Sequence, residues 1–290
     1  PVELFSTLST QPRSVHRIVW ELLLRTGEQH HAKVVMDKSL DSVQYAPELM
    51  ALFPDMLFLN VVRDPRAQVA SINRAIIHEF DTTLNAKIWA EAHRVGRALV
   101  EQYPERTLTI RFEDFLANQE ATLRKICGFF GIDFLSEMLD VTQSCEAQQI
   151  SHMSALWESN CLAPIAANKD KFKTQLSLAE IELIETINRD HMEHYGYELM
   201  TDASAALPDN ATLINCKRLS EIGRQNAWAM MEKNNYQDLI LRRYRANYLA
   251  RVRSNLDFLS DAKKLVQVRE VEQPANVTAK AGRFEVDYVI

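Results

Sequence analysis

Apolar and polar positions along this chain follow two periods, and the alternation between them predicts its elements. In SVHRIVWELLLRT (14–26), Val15, Ile18, Val19, Leu22 and Leu23 share one helical face, and Gly27 reads as the stop. AKVVMDK (32–38) is a short apolar run that predicts a buried strand. VQYAPELMALF (43–53) predicts a helix ending at Pro54, and MLFLNVV (56–62) a second strand. PRAQVASINRAI (65–76) reads as a helix with Pro65 in its first turn. A long helix over roughly 84–102 precedes RTLTIRF (106–112), the third strand, and NQEATLRKICGFFG (118–131) is a helix closed by Gly131. Unbroken apolar strands alternating with helices predict an α/β fold, with a parallel sheet covered on both faces.

The pattern then weakens into a loop-rich stretch over 132–176. SLAEIELIETINRDHMEHYG (177–196) restores the helical period, with Ser177 as N-cap and Glu180 three residues on as its capping-box partner. A composition shift near residue 200 predicts a core over 1–200 and a mainly helical extension over 201–290. Within the extension, 211–265 is helical and basic on one side (Arg224, Arg242, Arg243, Arg245, Arg251, Arg253 among others), and GRFEVDYVI (282–290) alternates like a strand.

Composition narrows the function classes. The chain has 290 residues, 47% hydrophobic and 25% charged, with a net charge of −6, which suits a globular protein. No whole-molecule field recruits nucleic acid, so an anion site must be local. Four separated cysteines without a C-x-x-C pair suggest buried free thiols, and the eight histidines show no H-E-x-x-H; no metal is expected. No apolar run reaches the ~18 residues of a membrane helix. A cytoplasmic location is expected, or a secretory one if an anchor precedes Pro1; the sequons at Asn210 and Asn276 would matter only in the latter.

The candidate chemistry gathers where strands end. Ligands of open parallel sheets bind beyond the strands' carboxyl ends, and Arg63 follows LNVV at such an end. A helix N-terminus attracts anions, and arginine adds a forked, permanently charged donor. Ser71, eight residues on, could donate to the same anion. A surface Arg63–Asp64 pair with Ser71 as plain helix explains the pattern as well. Asp37 and Lys38 end the expected strand before, where a lysine could hold a transferring anionic group or remain merely solvated. Phe112 could pack on a base, and Glu113 and Asp114 suit a helix start. The basic loop NKDKFKTQLS (168–177) could close over a phosphate through Lys169, Lys171 and Lys173. No G-x-x-x-x-G-K-[ST] or G-x-G-x-x-G is present.

Together these segments resemble the sulfotransferases that use 3′-phosphoadenosine 5′-phosphosulfate (PAPS). LFPDMLFLNVVRDPRAQVASINR is similar to their 3′-phosphate motif, YPERTLTIRFEDFLANQEATLRKICGFFGI to the following strand and helix, and FKTQLSLAEIELIETINRDHMEHYGYEL to the final helix with its Gly-Tyr end. The arrangement most resembles the tyrosylprotein, Golgi-type or bacterial branches and spans roughly 14–200. It implies a P-loop-NTPase-like parallel sheet flanked by helices and transfer of sulfonate to a hydroxyl or amine. It further implies Arg63 and Ser71 on the 3′-phosphate, Phe112 near the adenine, and Lys169, Lys171 or Lys173 closing a second phosphate cluster. Lys38 stands where the cytosolic steroid and phenol enzymes keep a Thr-His, and so is the candidate at the sulfonate. The acceptor would be a small molecule, glycan or protein side chain, and the carboxy-terminal helices offer a surface for a homo-oligomer or partner. The family's P-x-S-G-T-T-like loop is echoed only by Pro12-Arg13-Ser14 in TQPRSVHR, which implies an amino-terminal truncation. The alternatives are a nucleotide-binding or kinase-like relative, or a non-catalytic interaction protein using the basic tail.

Overall fold

The computed structural model describes residues 15–38, 42–76, 78–154 and 157–265. Pro12-Arg13-Ser14, the expected strand over 282–290 and the Asn276 sequon lie outside them.

The first elements are α1 (Val15–Gln29), α2 (Ser42–Leu52), β1 (Phe58–Val62), α3 (Pro65–Ile72) and α4 (Thr82–Gln102). They are followed by β2 (Thr107–Arg111), α5 (Phe112–Ala117), α6 (Gln119–Phe130) and the short α7 (Cys145–Ser151) and α8 (Phe172–Gln175). Three long helices complete the order: α9 (Leu178–His194), α10 (Asn210–Asn234) and α11 (Tyr236–Leu265). The chain forms two compact units, 1–227 and 228–290. The junction expected near residue 200 lies inside the first, in the loop between α9 and α10.

β1 and β2 pair in parallel, Phe58 opposite Thr107 through Val62 opposite Arg111. The connection between them runs through α3 and α4, as a parallel crossover requires. Among the described residues the sheet has these two strands alone. The strand expected over 32–38 is not formed. Val34 and Val35 are only half-buried, Met36 to Lys38 are exposed, and no backbone partner pairs with them among the described residues, so an apolar run was not sufficient. The covering of both faces also fails, since Val61 is 56% exposed on the side away from α4. The expected P-loop-like sheet is therefore present only as a mostly helical α/β fold with a small parallel pair.

α4 organises the core because residues along its length enter three apolar clusters. Ala86 packs with Ala67, Val69, Phe172, Ile181 and Ile184; Trp89 with Val62, Met192, Tyr195 and Tyr197; Leu99 with Met50, Phe53 and Met56. Gly96 lets α4 approach β1, for a Cβ there would lie 3.3 Å from Asn60 Oδ1.

Helix ends mostly follow the sequence signals. Asp81 caps α4, accepting from Leu84 N–H, and Ser177 and Glu180 form the full capping box on α9. Gly131 ends α6 in the left-handed conformation. Gly27 does not stop α1. It lies within the helix, where a Cβ would meet Val35 Cγ2 at 2.3 Å. His31 (φ 52) makes the left-handed turn instead, with Ala32 N–H donating to Gly27 C=O and His31 N–H to Glu28 C=O. α3 also stops at Ile72, short of the expected 76. Of the cysteines, Cys127 and Cys216 are buried but Cys145 is exposed at a helix start.

Candidate functional site

The register of the sheet brings together the residues that follow each strand. Val62 pairs with Arg111, so Arg63 and Phe112 leave the same edge side by side. The Arg63 guanidinium lies over the Phe112 ring, 5.2 Å from its centroid. The Arg63 carbonyl accepts a hydrogen bond from Trp89 Nε1 (3.1 Å), which fixes the backbone at the strand end. Its Nε is buried with no hydrogen-bond partner among the described residues. Burial lowers the pKa of this guanidinium, with Glu113, Asp64 and Tyr197 opposing the shift. A cation so desolvated gains from an arriving anion.

Asp64 caps α3 and is committed. Its Oδ1 accepts from the backbone N–H of Arg66 (2.8 Å) and from Arg66 Nε (3.0 Å), while Oδ2 takes Arg66 Nη2 at 2.6 Å. Arg66 Nη1 meets Glu185 Oε1 at 2.5 Å. Burial alone would lower the Arg66 pKa, but its bonds to Asp64 and Glu185 outweigh that and raise it. Glu185, fully buried, also receives the backbone N–H groups of Met200 (2.8 Å) and Thr201 (2.9 Å). Arg66 is thus neutralised within the fold, where it ties α3 to the middle of α9, and Arg63 is left as the responsive cation of the pair.

Glu113 joins the two strand ends to the end of α9. Its Oε1 accepts from Asp64 N–H (3.0 Å) and its Oε2 from the Tyr197 hydroxyl (2.7 Å). Burial, then the bond to Glu113, pushes the Tyr197 phenol pKa up, so it remains a donor. Arg111 stacks on the Tyr197 ring at 4.5 Å, and its Nε is likewise buried and unpartnered among the described residues. Tyr197 reaches this position because Gly196 (φ 72) turns the chain there, with Tyr197 N–H donating to Met192 C=O at 2.8 Å.

Beside these residues opens a cavity of about 470 Å³ whose wall includes Arg66, Arg111, Glu113, Lys169, Lys173 and Tyr197. The lysine loop is held by Phe172, buried with its ring 4.8 Å beneath the Arg66 guanidinium. Lys169, Lys171 and Lys173 stay exposed around that anchor, with Lys173 paired to Asp170 at 2.7 Å.

The structure therefore brings Arg63 to Phe112 and sets Lys169 and Lys173 on one cavity wall. Lys171 and Ser71 are exposed and off that wall, Ser71 in the last turn of α3; Lys38 is exposed at the end of the irregular segment, also off it. Sequence reading passed over Arg111 and Tyr197 and read Glu113 only as a helix-start acid. The pairing of two strand ends and the Gly-Tyr turn were their only local signals.

A parallel pair thus carries, at its carboxyl edge, two arginines whose Nε atoms are buried and unpartnered among the described residues, beside a cavity with lysines on its wall. Comparison with known families narrows the class: residues 3–137 match the model described as the sulfotransferase family. That segment carries α1 to α6 and with them Arg63 and Phe112. No curated protein matches the chain.

Proposed function

We propose that the protein transfers sulfonate from PAPS to a hydroxyl or amine of an acceptor. The observation that carries this reading is the unpaired, buried Nε of Arg63 against Phe112, within a sulfotransferase segment. The residues fit a phosphorylated nucleotide: a forked cation lacking a full complement of acceptors, an aromatic face beside it, and a cationic cavity adjoining. In this reading Arg63 holds the 3′-phosphate with Ser71 as a second donor, and Phe112 offers its ring to the adenine. Lys169, Lys171 and Lys173 neutralise a second phosphate, and Lys38 approaches the sulfonate.

The reaction needs no covalent enzyme intermediate. The acceptor oxygen or nitrogen bonds to sulfur as sulfur's bond to the bridging phosphate oxygen breaks. The acceptor's proton leaves to a base, and 3′-phosphoadenosine 5′-phosphate departs. The residues contribute alignment and charge. Calorimetric titration with 3′-phosphoadenosine 5′-phosphate tests this. Saturable binding that weakens at least about tenfold in Arg63→Ala supports it; no binding, or binding that the substitution leaves unchanged, rejects it.

A further inference from the structure

One face of α11 carries a run of exposed apolar and aromatic side chains. Tyr236, Ile240, Tyr244 and Tyr248 recur every fourth residue, with Leu241 beside them. At ~100° per residue they sweep an arc of roughly 140° along one side of the helix. This side is open: Tyr244 is 74% exposed, Tyr236 61% and Tyr248 59%. Arg243 and Arg245 lie at the two margins of the stripe and Arg251 within it, all exposed. The opposite side holds Asp238 and Leu239, both buried. Asp238 is the sole acid between 236 and 255 in the sequence, against five arginines, in a chain whose net charge is −6. The stretch 236–255 is thus net positive, while the rest of the chain is net acidic.

We infer that α11 seats the protein on an anionic lipid surface. The four-residue spacing of the stripe, with tyrosine at three of its four positions, lacks the branched aliphatic heptad of a helical zipper. Tyrosine buries its ring at the boundary of headgroups and acyl chains and keeps its hydroxyl wet, which is why it is frequent there. The flanking arginines lay their methylenes along the same boundary and direct their charge to lipid phosphates. No described helix is long and apolar enough to cross a membrane. A surface helix of tyrosines and arginines associates peripherally, reversibly and with a salt dependence. This inference does not rest on the transfer reaction.

Co-sedimentation of the full chain with vesicles tests it. Binding is expected to vesicles of phosphatidylcholine with phosphatidylserine, weakening as salt rises, and not to phosphatidylcholine alone. Arg243→Gln, Arg245→Gln and Arg251→Gln should each lower partitioning about fivefold, the ratio that about 1 kcal/mol per basic residue at an anionic surface gives. Tyr244→Ser with Tyr248→Ser should weaken it further, with the helical circular dichroism retained since these side chains are exposed. Absence of binding to the anionic vesicles overturns the inference, as does binding that none of these substitutions changes. A tyrosine-dependent dimer, or capture of RNA, by a chain that ignores the vesicles overturns it equally.

Discussion

Arg63 and Arg66 differ by three positions and have opposite fates. Both lie in the charged stretch that follows β1, and of the two only Arg63 stands out in the sequence, as the residue that ends a strand. Arg66 turns inward to Asp64 and Glu185, whereas Arg63 keeps a buried Nε without a partner. Arg63→Ala is therefore expected to lower affinity for 3′-phosphoadenosine 5′-phosphate about ten- to a hundredfold, the range for a charged hydrogen bond, with little change in melting temperature. Arg66→Ala should instead lower the melting temperature sharply, because it strands the fully buried Glu185 carboxylate; thermal melts beside calorimetry separate the two. Trp89→Phe keeps most of the packing but removes the donor to the Arg63 carbonyl. The expected cost is about 1–3 kcal/mol of stability from an unsatisfied buried acceptor, measurable by denaturant unfolding, together with weaker nucleotide binding. Arg63 was legible because it ends a strand; Trp89 was not, since an indole in a helix declares its partner only when the helix is docked.

At the scale of elements, local chemistry wrote the ends of helices better than it wrote the sheet. Ser177, Glu180, Gly131 and Asp81 act within a few residues of themselves, and the structure uses each as a cap. Strand formation at 32–38 required a partner across space, and the described residues supply none. The first helix of the extension shows the same dependence on distant contacts. Ser220 of α10 donates to the Glu79 carboxylate and accepts Phe80 N–H at 2.9 Å, while Arg224 reaches Glu79 at 3.5 Å. Gly223 lies against Phe80, whose Cβ would be 2.6 Å from an added methyl. This helix thereby fastens the loop that follows the Ser71 end of α3. Gly223→Ala should destabilise the protein by about 1–3 kcal/mol, the usual cost of overpacking, and Ser220→Ala by about 1 kcal/mol through the lost hydrogen bonds. Denaturant midpoints measure both; unchanged midpoints would mean that α10 does not hold the loop.

For the first compact unit, acid stability reports how α4 and α9 are joined. His93 sits in the core, its ring centroid 3.9 Å from that of Trp89, with Nδ1 unpartnered among the described residues. Burial, aided by His191, lowers its pKa from 6.5 to about 4. Burial and Arg97 lower that of His191 as well. The unfolded chain binds these protons below its ordinary histidine pKa and the folded chain resists them. Stability is thus flat with respect to these groups above pH 6.5 and falls as pH drops towards about 4. For His93 the loss is about 3 kcal/mol. His93→Phe should flatten that slope in urea melts taken across this range; an equally steep slope would place the acid sensitivity elsewhere. What the sequence by itself determined were the elements with short-range causes: the helical periods, most caps, the strand that ends at Arg63, and the family resemblance these carry in order. What only the tertiary structure decided was which cation is spent on internal carboxylates and which is left open, that Glu113 and Tyr197 close the strand ends, and that Ser220, Gly223 and Arg224 pack on the loop after α3. The physical reason is range. Capping and amphipathicity act within a turn or two of chain, whereas desolvation and ion pairing depend on groups that meet only when distant segments fold together.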